Sequence, residues 1–173
     1  MRDMKTKQLL PIYLLCVALA AAAYIFLYAN TKWTLFPYTK ILEFLFGLHF
    51  NYTGTAYEAI GSSVIITKTC SGVNLFLSLY AILVFGFLHR FQGVKKKLLL
   101  SLIYFVSSVS IAFIATLARI IVSLPFSESL HFRLIHTVIS LCVFFGTGLL
   151  LYSLMQKITD RFIMGGHKHE KAV

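Results

Sequence analysis

Charge is scarce in this chain. Of its 173 residues, 13% are Asp, Glu, Lys or Arg, about half the share of an ordinary soluble domain. Cysteine is scarce too. There are three, an odd count with no CxxC spacing, and Cys16 and Cys142 lie inside apolar runs. That excludes a disulfide framework and a cysteine-based zinc site. No basic stretch is interleaved with aromatics in the manner of a base-stacking surface, so the net charge of +10 does not point to nucleic acid. No internal repeat or linker divides the sequence, and residues 1–173 read as one domain. No metal and no organic cofactor is expected; His167 and His169 fall in a polar tail.

What remains is apolar. Hydrophobic residues make up 58% of the chain, and the mean hydropathy is +0.82. Four runs are long enough to cross a bilayer, which takes about 20 residues. They cover about residues 9–29, 70–88, 98–124 and 136–156. Small residues at Ala20–Ala23 offer a signal-peptide reading of the first run. The run continues through Tyr24 to Tyr28, which favours an uncleaved anchor. Residues 30–69 read as a loop outside the bilayer. Within it, the apolar stretch Ile41–Leu48 is short and is preceded by Lys40 and interrupted by Glu43, so it is an interfacial or re-entrant helix. Val64-Ile65-Ile66-Thr67 has strand composition. The fold class is therefore an all-α integral membrane protein: a bundle of four transmembrane helices plus that interfacial or re-entrant piece.

Basic residues set the orientation. Four spans place Arg2, Lys5, Lys7, Arg90, Lys95, Lys96, Lys97, Lys157, Arg161, Lys168 and Lys171 on one side. The other side holds Lys32, Lys40, Lys68, Arg119 and Arg133. The positive-inside bias puts the first group, with both termini, in the cytoplasm.

The sharpest chemical signal is Thr69-Cys70-Ser71-Gly72-Val73-Asn74. It reads as a cysteine in the first turn of the second span, capped by Thr69 or Ser71. A thiolate is favoured at a helix N-terminus, although most free cysteines simply pack as small apolar residues. Arg119 lies 22 residues beyond Lys97, roughly 33 Å along a helix, and so near the same membrane face. His136 opens the fourth span there. A thiol, a guanidinium and an imidazole thus converge at one level. Cys70 is the candidate nucleophile and His136 the candidate acid–base group. Arg119 holds an oxyanion or a substrate carboxylate. His131 is the alternative base, with Glu128 close enough in sequence to orient either ring. Asn74, one turn from Cys70 on the same face, is a supporting polar group.

At these residues the sequence resembles the exosortase/archaeosortase family of membrane-embedded cysteine transpeptidases. Cys70-Ser71-Gly72 matches the family's Cys-Ser/Thr-Gly motif opening a helix. Ala115-Thr116-Leu117-Ala118-Arg119-Ile120 matches its later arginine segment, with Thr116 where asparagine is common. His136 to Phe144 is similar to its histidine-opened helix, without a glycine usual near Ser140. The resemblance runs from about Thr67 to Phe145; typical members are longer and carry more spans. It implies catalytic Cys70, Arg119 and His136, supported by Ser71, Gly72, Asn74 and Thr116. It also implies a bacterial inner-membrane enzyme acting at the extracytoplasmic face. Its partners would be secreted proteins ending in a sorting motif, a transmembrane helix and a basic tail. The new C-terminus would pass through a Cys thioester to a cell-surface acceptor. Two other readings stand beside it. One is a non-catalytic assembly or transport module whose Arg119 binds lipid headgroups; the other is acyl transfer to glycans or lipids.

Overall fold

A computed structural model describes the backbone of residues 2–91, 93–127 and 129–170, and the side chains of residues 10–91, 93–127 and 129–160. Arg2–Ala29 forms α1 and Thr31–Phe46 forms α2. Three short strands follow: β1 (Phe50–Tyr52), β2 (Ala56–Ala59) and β3 (Ile65–Thr67). A 3-10 turn over Lys68–Cys70 leads to α3 (Val73–Phe87). Then come α4 (Val94–Ser123) and α5 (Phe132–Glu170). Four segments are long and apolar enough to cross a membrane: Leu10–Ala29, Lys68–Arg90, Val94–Phe126 and Phe132–Asp160. This is an all-α membrane bundle, as the apolar runs predict. Glu128 and the end of the basic tail, 171–173, lie outside the described residues, and so do the side chains of His167 and His169.

The bundle is built around α3, which packs against α1, α4 and α5. Half of its most apolar window is buried, against 6% for that of α5. Between membrane helices the gain comes from close packing and interhelical hydrogen bonds, because lipid is as apolar as leucine. The contact face of α4 accordingly carries small residues: Ser101, Ser108, Ala112, Thr116 and Ser123 are all buried. Ser101 Oγ lies 3.0 Å from Cys16 Sγ and 2.9 Å from Tyr80 Oη, joining α1, α4 and α3. Cys16 is thus a packing residue, whereas Cys142 is exposed on an apolar helix.

Residues 30–69 are more ordered than the loop the sequence suggests. The stretch read as an interfacial or re-entrant helix falls in a regular helix, α2, which carries Pro37 within it. At 1.5 Å per residue its 16 residues reach about 24 Å, short of a bilayer core of about 30 Å. One face buries Leu35, Tyr38 and Leu42. The other exposes Trp33 and Phe44. The strands form an antiparallel sheet in the order β1-β2-β3, with Tyr57 opposite Ile66. Both side chains pack with α2 and with Ile120 of α4. Helix and sheet therefore form a cap on one end of the bundle. Strands of three or four residues are too short to show the alternation by which a sequence announces a strand.

Candidate functional site

The motif turn differs from its sequence expectation. Cys70 ends the 3-10 turn and precedes α3 rather than lying in its first turn. The helix cap is Gly72, at φ 71°, with no side-chain cap bond. Neither Thr69 nor Ser71 caps the helix. Thr69 Oγ1 instead lies 2.6 Å from Thr67 Oγ1, and the Ser71 carbonyl accepts from Tyr38 Oη at 3.0 Å. Cys70 thus stands outside the turn over which a helix dipole acts. The reason is local: the left-handed residue needed to start α3 comes two positions after the cysteine.

Gly72 is fixed from two sides. Its positive φ is disfavoured for any residue with a Cβ. A Cβ there would also collide with Thr116 Oγ1 and sit 3.4 Å from the Ala112 carbonyl. Thr116 is 1% exposed. The residue that departs from the family pattern is therefore the one packed against the motif glycine.

One face of α4 supplies the next groups. Arg119 Nη2 reaches the Thr69 carbonyl at 3.5 Å, a long bond one residue before the cysteine. Its Nε is buried with no hydrogen-bond partner among the described residues. One turn on, Ser123 Oγ donates to the Arg119 carbonyl at 2.7 Å. A carbonyl can only accept, so that bond uses the single hydroxyl proton. The contact of 3.2 Å between Ser123 Oγ and His136 Nδ1 then has the ring as donor. His136 is held as the Nδ1–H tautomer, leaving Nε2 with its lone pair, the arrangement a general base requires. His136 itself sits in the second turn of α5, which begins at Phe132.

These groups surround two cavities. The larger, about 600 Å³, is bordered by Lys68, Asn74, Thr116, Arg119 and His136, and by Tyr24 and Tyr28 of α1. Among the described residues its walls carry two cations, Lys68 and Arg119, and no carboxylate. The smaller, about 230 Å³, runs between residues 63–66 and the ends of α4 and α5. Cys70, Ser123 and His136 border it. His136 therefore faces both spaces, while Cys70 borders one and Arg119 the other. No hydrogen bond joins Cys70 to His136. Ser71 and Gly72 line the larger cavity. Asn74 is exposed toward that cavity rather than sharing a face with Cys70, because the break at Gly72 cancels the helical register assumed from the sequence. His131 is exposed, with its backbone N–H bonded to Ser129 Oγ at 3.3 Å, and it borders neither cavity. No three His, Cys, Asp or Glu side chains cluster as a metal site among the described residues.

Three participants were not visible as site residues in the sequence. Ser123 carried a faint signal, being four residues beyond Arg119 and so on its face. Tyr38 carried none. It reaches the motif turn from α2, packs 4.7 Å from the Phe113 ring, and has its phenol pushed up to about 12 by burial, partly offset by Thr116 and the Arg119 guanidinium. Lys68, read only as a loop cation, sits with its Nζ 4.6 Å from the Tyr28 ring centre, at the rim of the larger cavity. In comparisons with protein-family models, curated proteins and solved structures, nothing matches this chain.

Proposed function

We propose that this chain is a membrane-embedded cysteine transpeptidase of the exosortase-like kind. It would act at the extracytoplasmic face of a bacterial inner membrane on secreted proteins with a C-terminal sorting tail. The observation that carries the reading is the shared groove of Cys70 and His136, with Ser123 presenting the imidazole as the Nδ1–H tautomer. Orientation follows from charge. Arg90 follows α3 and Lys95–Lys97 lie in the first turn of α4, at the end of the bundle opposite the motif turn, and a basic cluster of that kind favours the cytoplasmic side.

The chemistry follows from those groups. His136 Nε2 takes the Cys70 proton, and Sγ attacks the scissile carbonyl carbon. The carbonyl oxygen becomes an oxyanion, which Arg119 stabilises with its fixed fork of donors. The C–N bond then breaks. The leaving amine takes the proton from His136, and a thioester remains on Cys70. An acceptor nucleophile attacks the thioester, the C–S bond breaks, and the acceptor's proton returns to the thiol through His136. Water in place of the acceptor gives hydrolysis. A non-catalytic module is the second reading. The long Arg119 bond favours it, since a guanidinium held this loosely suits a lipid headgroup as well as an oxyanion.

The test is a comparison of membrane-protein C-termini in cells lacking the gene, complemented with wild type or Cys70→Ala. A discrete set of proteins keeping their C-terminal helices only in the Cys70→Ala strain is the expected result. Identical C-termini in both strains, with the variant expressed and inserted, overturn the catalytic reading.

A further inference from the structure

The smaller groove is bordered on one side by Ser63 to Ile66, which include the start of β3. In the sheet order β1-β2-β3, β3 is an edge, with β2 on one side and no strand on the other. The ladder identifies which of its polar groups are free. Ala59 N–H donates to the Val64 carbonyl at 3.0 Å, so these two form a hydrogen-bonded pair. Antiparallel pairs alternate. Tyr57 and Ile66, two steps along the register, are therefore also bonded, and Glu58 and Ile65 are not. The N–H and C=O of Ile65 point outward, away from β2, and no other hydrogen bond takes them up among the described residues. Ile65 borders the groove that contains Cys70 and His136.

We propose that this edge is the substrate-binding strand. An extended peptide segment pairs with the outward groups of Ile65 as a fourth strand and so carries its scissile carbonyl past Cys70. The proposal rests on the transpeptidase reading and names how that site holds its substrate. The dimensions favour this occupant. At about 230 Å³ the groove is below the usual range for a small-molecule pocket, about 300–1,000 Å³. An extended chain needs only one strand's spacing of about 4.8 Å beside β3. The facing side combines Ile120, Leu124 and Phe132 with Ser123, Ser127 and His136, and its apolar residues suit hydrophobic side chains next to the scissile bond. Main-chain pairing of this kind supplies affinity while pockets for alternate side chains supply selectivity. The order of the chain also fits, because Cys70 follows the last residue of β3 by three positions.

The test adds Ile65→Pro, Ile65→Val and Ser127→Trp to the wild-type and Cys70→Ala strains. It reads the processed fraction of C-termini, and the labelling of Cys70 by a maleimide in the purified proteins. Ile65→Pro deletes one outward N–H and leaves the β2 ladder whole. It is expected to slow processing about two- to tenfold, the loss of one hydrogen bond, with Cys70 still labelled at the wild-type rate. Ile65→Val keeps the N–H and is expected to process well above Ile65→Pro. Ser127→Trp fills the groove from the opposite wall, where Ser127 lies, and is expected to block processing without touching the sheet. Wild-type processing by a folded Ile65→Pro protein overturns strand pairing while leaving the enzyme reading intact. That result together with a blocked Ser127→Trp protein indicates a lipid chain in the groove instead. If Ile65→Pro does not accumulate, normal processing by Ser127→Trp overturns the proposal. Unchanged C-termini in the Cys70→Ala strain overturn both readings together.

Discussion

Replacing Gly72 with alanine tests the geometry on which the site depends. Two penalties act at this position. A left-handed backbone costs a residue with a Cβ about 1–2 kcal/mol. Gly72 has φ 71°, so alanine incurs that cost in full. The new methyl also meets Thr116 Oγ1 inside contact distance and stands 3.1 Å from Thr116 Cβ. Overpacking of this kind typically costs about 1–3 kcal/mol. Alanine gains about 0.4–1 kcal/mol from its smaller unfolded-state entropy, which offsets only part. The net loss is about 1–5 kcal/mol. For a chain of this length that is a fall in Tm of about 2–20 °C. The assay is thermal unfolding of the purified protein in detergent, run as a cycle of Gly72→Ala, Thr116→Ala and the double variant. Thr116→Ala removes the hydroxyl that collides, but not the backbone strain. The two substitutions are therefore expected to couple, the double variant being more stable than the singles predict by about 0.5–3 kcal/mol. Additive effects, or a Gly72→Ala protein as stable as wild type, refute the close approach of α4 to the motif turn.

Two further predictions follow from the hydrogen bonds. Ser123→Ala removes the acceptor for His136 Nδ1–H and is expected to slow processing about two- to tenfold, the effect of one hydrogen bond. Nitrogen NMR of labelled histidine should show His136 changing from a single Nδ1–H tautomer to a mixture, and an unchanged tautomer removes Ser123 from this role. Glu43 accepts from Lys40 Nζ within α2 at 2.6 Å and ties the end of that helix to β1 by accepting from Phe50 N–H at 3.3 Å. The Lys40 bond, first, and the Phe50 N–H hold its carboxyl below the usual range. A lowered folded value gives stability that is present above the ordinary carboxylate pKa of about 4.3 and lost as pH falls through the folded value. The pair is largely solvated, so the gain is at most about 1 kcal/mol. Wild type is therefore expected to lose its small advantage over Glu43→Gln in unfolding curves recorded between about pH 6 and pH 3; a constant difference across that window contradicts the pairing.

The parts of the fold that were legible are those with long periodic signals. Leu10–Ala29, Lys68–Arg90, Val94–Phe126 and Phe132–Asp160 each carry enough consecutive apolar residues to be read without a partner. The three groups Cys70, Arg119 and His136 were legible because helix lengths fix which end of each span a residue occupies. The cap was legible only in pieces, Ile41–Leu48 as a short helix and Val64–Thr67 by strand composition, which fall on α2 and β3. Its strands are short, and its buried side chains, Tyr57 and Ile66, make sense only against α2 and Ile120. The fine structure of the motif was also hidden. A run such as Cys70-Ser71-Gly72 permits either a helix beginning at the cysteine or one beginning after the glycine. Only the close approach of Thr116 selects the second. Tyr38 lies 33 residues from the carbonyl it bonds, and no local pattern encodes a contact of that range.

That long-range contact bears on how the site is assembled. The thiol comes from the turn before α3, the guanidinium and Ser123 from α4, and the imidazole from α5. None of these elements alone holds two of the three reactive groups. The cap then makes two connections of its own: Tyr38 anchors the Ser71 carbonyl, and Ile66 packs with Tyr38 and Ile120. The motif turn is thereby fixed between α2 and α4 instead of being carried by α3 alone. A thiol placed beyond the end of a helix would otherwise share the mobility of a loop. Holding the turn from both sides supplies the positioning that the helix terminus does not. The electrostatic part of the site is supplied separately, by Lys68 and Arg119 around a cavity with no carboxylate among the described residues. In a site bordered by low-dielectric lipid, two cations on one wall favour negative charge in that space. The division is therefore physical: one groove is bordered by Cys70 and His136, the neighbouring cavity favours an anion, and His136 is the residue common to both.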